Sequence, residues 1–304
     1  KHCSVSLDHE IDPGRTDLLA PEASVGPVLR TYRIAVSTTF EYTSDPALGG
    51  GTIPSTVASI NTWLNGINAI YEREVSVRLY LVNDTNAIYT ANNDPYDDSP
   101  GNSVESVMLN QVRPTLRDQV GPANYNLGHL LTKNSGGGVA YLGVICQDGD
   151  NGGDGFGPLK GGGVSVVGAP VGGSLKLLAH ELGHQFGAQH TFNGTLNSCS
   201  GGNRSSTTAY ETGSGSTIMS YAAICGSDNI TNSTSDTRFH TGSFAQITNH
   251  TINGGGNACP GLINTGNAAP TVTTPAGFNI PRNTPFTLTA VGSDPDAGDV
   301  NNLS

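Results

Sequence analysis

Residues His180-Glu181-Leu182-Gly183-His184-Gln185-Phe186-Gly187-Ala188-Gln189-His190 spell H-E-x-x-H-x-x-G-x-x-H. This spacing dictates a local shape before the rest of the chain is read. Four residues of helix advance about 400°, so His180 and His184 stand one turn apart on the same face. Gly187 tolerates left-handed backbone and can stop the helix there. The chain can then swing back and bring His190 to the same point. Three imidazoles so placed can hold one zinc ion at about 2.0–2.1 Å each and leave a fourth position open to water. Such a water is acidic enough to be a nucleophile near neutral pH. Glu181 lies beside the first histidine without being needed as a ligand, and it is placed to take that proton and pass it to a departing amine. The competing reading is a structural zinc site. Structural sites are closed by four protein ligands and favour cysteine, whereas here no fourth ligand is offered locally and a glutamate is present.

Met219, one of two methionines, lies 29 residues after His190 in Ser216-Thr217-Ile218-Met219-Ser220-Tyr221. Together with the histidine motif, this phrase resembles the metzincin metalloproteases, which carry a methionine turn downstream of the third histidine. Thr191-Phe192-Asn193-Gly194, the run Gly213-Ser214-Gly215 ahead of Ser216, and Tyr71-Glu72-Arg73-Glu74-Val75 are similar to the reprolysin (adamalysin-like) branch, in its secreted bacterial form. The resemblance covers roughly residues 30–260. It implies an α/β (α+β) catalytic domain, with a twisted mixed sheet and helices above a zinc cleft and an irregular subdomain below. It also implies that Met219 forms an apolar floor under the metal rather than a ligand. Tyr221 matches a tyrosine that in astacins and serralysins is a fifth ligand or a transition-state hydrogen-bond donor; a packing aromatic is the other reading. The chain departs from the reprolysin pattern at Thr191, where that branch has aspartate.

Five cysteines leave one over in a disulfide-forming compartment. Cys199 and Cys225 bracket the segment between the third histidine and the turn after Met219, and a bridge there would staple the lower half of the site. The resemblance implies a Cys146–Cys259 bridge, like one in reprolysins, tying a strand above the site to the end of the domain. Cys3 then stands alone in Lys1-His2-Cys3-Ser4-Val5, which is similar to the cysteine switch that ends reprolysin pro-segments. There a thiolate occupies the fourth zinc position and keeps the enzyme latent, chemistry that suits zinc and a low-pKa thiol. Ser4 stands where that motif has glycine. The alternatives for Cys3 are an exposed thiol near the terminus or a different pairing. On the switch reading, residues 1–28 are the tail of a pro-segment acting as the chain's own inhibitor, with the activating cut between Leu19 and Pro27.

Charge and hydropathy narrow the partners. Lys and Arg number 14 against 25 Asp and Glu, a net charge of −11, which does not recruit nucleic acid or an anionic membrane. No apolar run approaches the 18 residues or so that a membrane span needs. The chain begins at Lys1 without a leader, which suggests a processed piece. Abundant Gly, Ser, Thr and Asn with few lysines suit a secreted, extracellular protein.

Along the chain, Tyr32 to Ser37 reads as a strand. A helix follows over Ser55 to Tyr71, with apolar residues at Val57, Ile60, Leu64, Ile67 and Ile70 and with Pro54 at its start. Val75 to Val82 alternates as a second strand. Residues 83–102 are loop, and Ser103 to Val120 is helical with a break at Pro114. Gly138 to Ile145 reads as a strand. In metzincins the last strand before the zinc helix is an antiparallel edge with which substrate pairs, so Val139, Ala140, Tyr141, Leu142 and Gly143 are candidate substrate contacts. Asp148, Asp150 and Asp154 could hold calcium in the glycine-rich stretch that follows, the alternative being a plain loop. Residues 191–240 are irregular, and a last short helix spans Ser243 to Ile252. His9, His129, His240 and His250 read as structural.

From about Asn267 the composition resembles the opening of an immunoglobulin- or cadherin-like module, which takes roughly 100 residues to complete. The expected organisation is therefore a pro-segment tail at 1–28, a catalytic domain at 29–266 and the start of a β-sandwich module at 267–304. The expected function is a secreted zinc endopeptidase made as a zymogen and acting on protein or peptide substrates. The alternative is a secreted adhesion or binding protein with an inert protease-like domain.

Overall fold

Strand β1 (Val28–Thr38) is an interior strand of the sheet, and its second half is buried on both faces. That is the environment of an interior parallel strand, and Ile34, Ala35 and Val36 suit it. The computed structural model describes residues 27–97, 104–133, 137–150, 153–168, 172–234, 236–273, 277, 279–287 and 289–296. Cys3 and the expected switch lie outside these residues.

After β1 come α1 (Phe40–Ser44), α2 (Ile53–Val75), β2 (Val77–Leu81), α3 (Val104–Gln119), β3 (Leu127–Thr132), β4 (Gly138–Ala140), β5 (Gly163–Val166) and α4 (Gly172–Gln185). An irregular stretch leads to α5 (Thr241–Ile252), β6 (Gly261–Asn264), β7 (Thr271–Thr273) and β8 (Val291–Ser293). The main sheet has the order β2-β1-β3-β5-β4, and β6 also pairs with the start of β1. β2, β1, β3 and β5 run parallel, whereas β4 and β6 are antiparallel to their neighbours. The architecture is thus a mixed α/β sheet with helices on both faces.

Alternation along the strands assigns the two faces. Tyr32, Ile34, Val36, Leu127 and Leu131 pack with α2 and α4 in the larger core. Ala35, Leu130, Val139 and Val164 point the other way, onto α3. Helix α2 starts where the sequence expects, with a capping box between Thr52 and Ser55 and a proline in its first turn. It buries Ile60, Trp63, Leu64, Ile67, Ile70 and Tyr71. The Trp63 indole donates to the Tyr42 hydroxyl at 3.0 Å, which satisfies a polar group that burial would otherwise penalise. The Tyr71 hydroxyl donates to the Ala179 carbonyl of α4 at 2.7 Å. Tyr71 therefore couples α2 directly to the helix that carries the histidines.

Three expectations are corrected. Helix α3 runs unbroken through Pro114. A mid-helix proline costs about 3 kcal/mol, but Met108, Val112 and Leu116 are all fully buried on this helix, and each such side chain contributes roughly 1.5–3 kcal/mol. The strand expected over Gly138 to Ile145 stops at Ala140. It is also not the last strand before the histidine helix, because β5 intervenes and pairs antiparallel with it. Strands β3 and β5 escape the sequence reading altogether. Every residue of β3 is buried, so Leu127-Gly128-His129-Leu130-Leu131-Thr132 has no polar face and no alternation to read.

β7 and β8 form an antiparallel pair whose residues are exposed. Among the described residues this is a two-stranded ribbon and not a sandwich.

Candidate metal centre

Helix α4 carries His180 and His184 into the interior and ends where the motif requires. Gly187 has φ 94°, a conformation open to glycine. The Ala188 amide donates to the Gly183 carbonyl at 2.9 Å as the chain turns away. Amides beyond β4 receive the end of α4, with Gly143 donating to the His184 carbonyl at 2.8 Å and Val144 to Gln185 at 3.0 Å. Helix ends leave such carbonyls unpaired, so the segment after β4 acts as a tertiary cap.

His180, His184 and His190 are 4%, 1% and 4% exposed. Their three Nε2 atoms lie 3.1 Å from one another. Tetrahedral bonds of about 2.0–2.1 Å would put ligand atoms about 3.3–3.4 Å apart, so the cluster has nearly the size that zinc needs. Each ring is locked from behind. His180 Nδ1 donates to the Ile218 carbonyl at 2.7 Å, His184 Nδ1 to Ala188 at 2.7 Å, and His190 Nδ1 to Asn203 at 2.5 Å. With the proton held on Nδ1, each Nε2 turns a lone pair toward the common point.

Burial lowers all three pKa values, that of His184 to about 4. The neighbouring imidazoles push those of His180 and His190 down further. The rings are therefore neutral, the form that binds metal. Among the described residues, these three form the group whose ligating atoms converge in this way. Among the described residues no fourth donor joins these three imidazoles, a set that suits zinc with an open position.

Glu181 is fully buried beside the cluster. The start of β4 lies against it. A Cβ on Gly138 would stand 2.4 Å from Glu181 Cγ and 2.6 Å from its Oε1. Only a residue without a side chain lets the edge strand approach the glutamate this closely. The sequence reading took Gly138 as a strand residue and had no signal for this role. Gly183, inside the motif, serves the methionine in the same way, since a Cβ there would meet Met219 Sδ at 2.5 Å. Met219 is fully buried.

The Tyr221 ring centroid lies 4.6 Å from that of His190 and 5.8 Å from that of His180, and it packs on Phe192 at 4.4 Å. Cys199 and Cys225 are bonded, with Cα atoms 5.2 Å apart, and share a small apolar cluster with Phe192 and Tyr221. Cys146 and Cys259 are bonded as well, at 5.6 Å between Cα atoms.

Of the five candidate substrate contacts, Val139 and Ala140 lie on β4 at the sheet edge. Tyr141, Leu142 and Gly143 follow the strand. The amide of Tyr141 is taken by the Gly162 carbonyl at 3.1 Å and that of Gly143 by α4. These two cannot pair with a peptide while they hold the structure together. The calcium expectation finds no support. Asp154 accepts two hydrogen bonds from the Arg113 guanidinium, Asp148 pairs with Lys160, and Asp150 caps the Gly153 amide. Two of the three carboxylates thus neutralise protein cations.

Among the described residues, His129, His240 and His250 sit in structural settings; His9 lies outside them. His129 bridges Gln185 of α4 and Ser165 of β5 at 2.9 Å each, and burial lowers its pKa to about 4. His240 caps α5 by accepting from the Gly242 amide, and His250 is packed on Gly187.

A family model described as Metallo-peptidase family M12B Reprolysin-like matches residues 28–251. No curated protein matches the chain.

Proposed function

The chain belongs to the reprolysin-like metallopeptidases of family M12B and is a zinc metalloendopeptidase, and from this premise we propose that His180, His184 and His190 hold the metal while Glu181 serves as general base and acid. One observation carries the proposal: three buried Nε2 atoms converge at 3.1 Å with every Nδ1 already engaged. Zinc, when bound, supplies a Lewis acid that acidifies water and polarises a carbonyl. Glu181 accepts the water's proton and returns it to the departing amine. Tyr221 stabilises the oxyanion that develops on the scissile carbonyl. Met219 is the apolar floor. A peptide substrate pairs with the edge strand β4, whose Val139 and Ala140 are buried in this structure.

The expected result on chelation is complete loss of casein cleavage, recovered on adding one equivalent of zinc. Cleavage that persists in a protein shown by metal analysis to be zinc-free would overturn the assignment.

We also infer an extracellular setting and a latent precursor. Two formed disulfides support an oxidising compartment, and no helix among the described residues is long and apolar enough to cross a membrane. The resemblance of Lys1-His2-Cys3-Ser4-Val5 to a cysteine switch supports latency. Cys3→Ala is expected to be active without the lag that the parent shows before it cuts itself between Cys3 and Thr31. Equal lag in both would remove the switch.

A further inference from the structure

The two residues that lead into the methionine turn are gripped from both sides. Glu211 Oε2 accepts from the backbone amides of Ser216 at 2.7 Å and Thr217 at 3.1 Å. Its Oε1 accepts from the hydroxyl of Thr191 at 2.5 Å and from that of Thr217. From the opposite side, the buried Lys176 ammonium donates to the Ser216 carbonyl at 2.5 Å. The Glu211 backbone is held too, its amide donating to the Thr191 carbonyl at 2.8 Å and its carbonyl accepting from Asn193 at 2.8 Å.

These partners bracket the histidine motif. Thr191 directly follows His190, and Lys176 lies four residues before His180 on the same helix. Ile218, next after the gripped pair, provides the carbonyl that orients His180. The Met219 carbonyl accepts from the Thr191 amide at 3.1 Å. The chain keeps room for the carboxylate, because Gly215 has φ 63° and a Cβ there would stand 2.8 Å from Glu211 Cδ. Burial pushes the Glu211 pKa up, but the hydrogen bonds from Thr191, Thr217 and the two amides outweigh it and hold the group below its usual range. It is an anion at neutral pH. A partly buried carboxylate costs free energy unless its oxygens are occupied, and here each oxygen takes two donors.

We propose that Glu211 is a positioning residue for the metal centre: its carboxylate fixes the Ile218 carbonyl behind His180 and, through Thr191, the placement of His190. It touches neither metal nor substrate. The proposal rests on the three-histidine zinc reading. Partners behind metal ligands commonly alter affinity or activity by about 10–100-fold when removed.

The test is Glu211→Gln in the whole chain, which keeps the size of the side chain but replaces one acceptor oxygen with a donor. Zinc affinity is read by competition with a chromophoric chelator, and kcat and KM are read separately on a peptide. Asp228→Asn is the control. The Asp228 carboxylate holds the Thr195 and Leu196 amides in the same subdomain and reaches neither Thr191 nor residues 216–219. The expected result is a zinc affinity at least about tenfold weaker and a lower kcat with KM within about twofold, while Asp228→Asn binds zinc like the parent. If Glu211→Gln does not fold, Thr191→Val removes one arm of the same node and is expected to shift zinc affinity in the same direction. Zinc affinity and kcat unchanged in Glu211→Gln, or lowered equally by Asp228→Asn, would overturn the proposal. A parent chain that takes up no zinc would instead overturn the metal-site reading, and this proposal with it.

Discussion

Glu181→Gln is expected to lower kcat/KM on a peptide at least about a thousandfold while the protein still binds one zinc per chain. A positioned general acid–base group contributes about 10²–10⁴ in rate, and in the proposed mechanism the same carboxylate serves both proton transfers. The amide of glutamine has nearly the same size, so the packing of Glu181 against Gly138 survives the exchange. What is lost is the ability to accept a proton. The three imidazoles keep their backbone acceptors at Ile218, Ala188 and Asn203, none of which the substitution touches. Zinc affinity therefore holds. Because proton transfer occurs in the transition state, kcat and kcat/KM should fall together with KM little changed. Two measurements on one preparation decide the matter, metal content by emission spectroscopy and steady-state kinetics on a quenched fluorescent peptide. A variant within tenfold of the parent would exclude Glu181 as the base. A variant that has lost its zinc would mean that the residue holds the site together.

Removing the Cys146–Cys259 bridge, as Cys146→Ser with Cys259→Ser, should cost about 4–5 kcal/mol of stability. The bridge closes a loop over a separation of 113 residues, and loop-closure entropy for about 100 residues is worth roughly 4.7 kcal/mol. A typical domain is stable by about 5–15 kcal/mol, so the variant would sit near its folding threshold. The position has a functional consequence too. Cys146 directly follows the residues whose amides cap the end of α4, so loosening it frees the helix end that carries His184. Urea unfolding of the zinc-loaded and metal-free forms gives the two numbers needed. A loss below about 1 kcal/mol in the metal-free form would refute the loop-entropy account. A normal loss in that form with no change in zinc affinity would uncouple the bridge from the site.

The histidine site was legible because its geometry is local. Helical periodicity places His180 and His184, and one glycine turns the chain, so the three histidines fall within eleven residues whatever the rest of the protein does. α2 was legible for a similar reason, with one apolar stripe and one proline at its start. β3 and β5 were not. A strand buried on both faces has no polar side, and a sequence without alternation gives the eye nothing to count. Pro114 misled because its cost is local while the burial of Met108, Val112 and Leu116 that outweighs it is tertiary.

The remaining parts of the site come from far away in sequence. Gly138 meets Glu181 across 43 residues, the Ile218 carbonyl reaches His180 across 38, and Glu211 joins Thr191 to Thr217 from within a polar stretch with no period of its own. By itself the sequence determined which side chains can hold a metal and put a carboxylate beside the first of them, because both follow from spacing along one helix and one turn. Only the tertiary structure decided which carbonyls orient the rings and which carboxylate secures the methionine turn. Those roles depend on distances between segments, and no short stretch of sequence carries a distance to a segment it has not yet met.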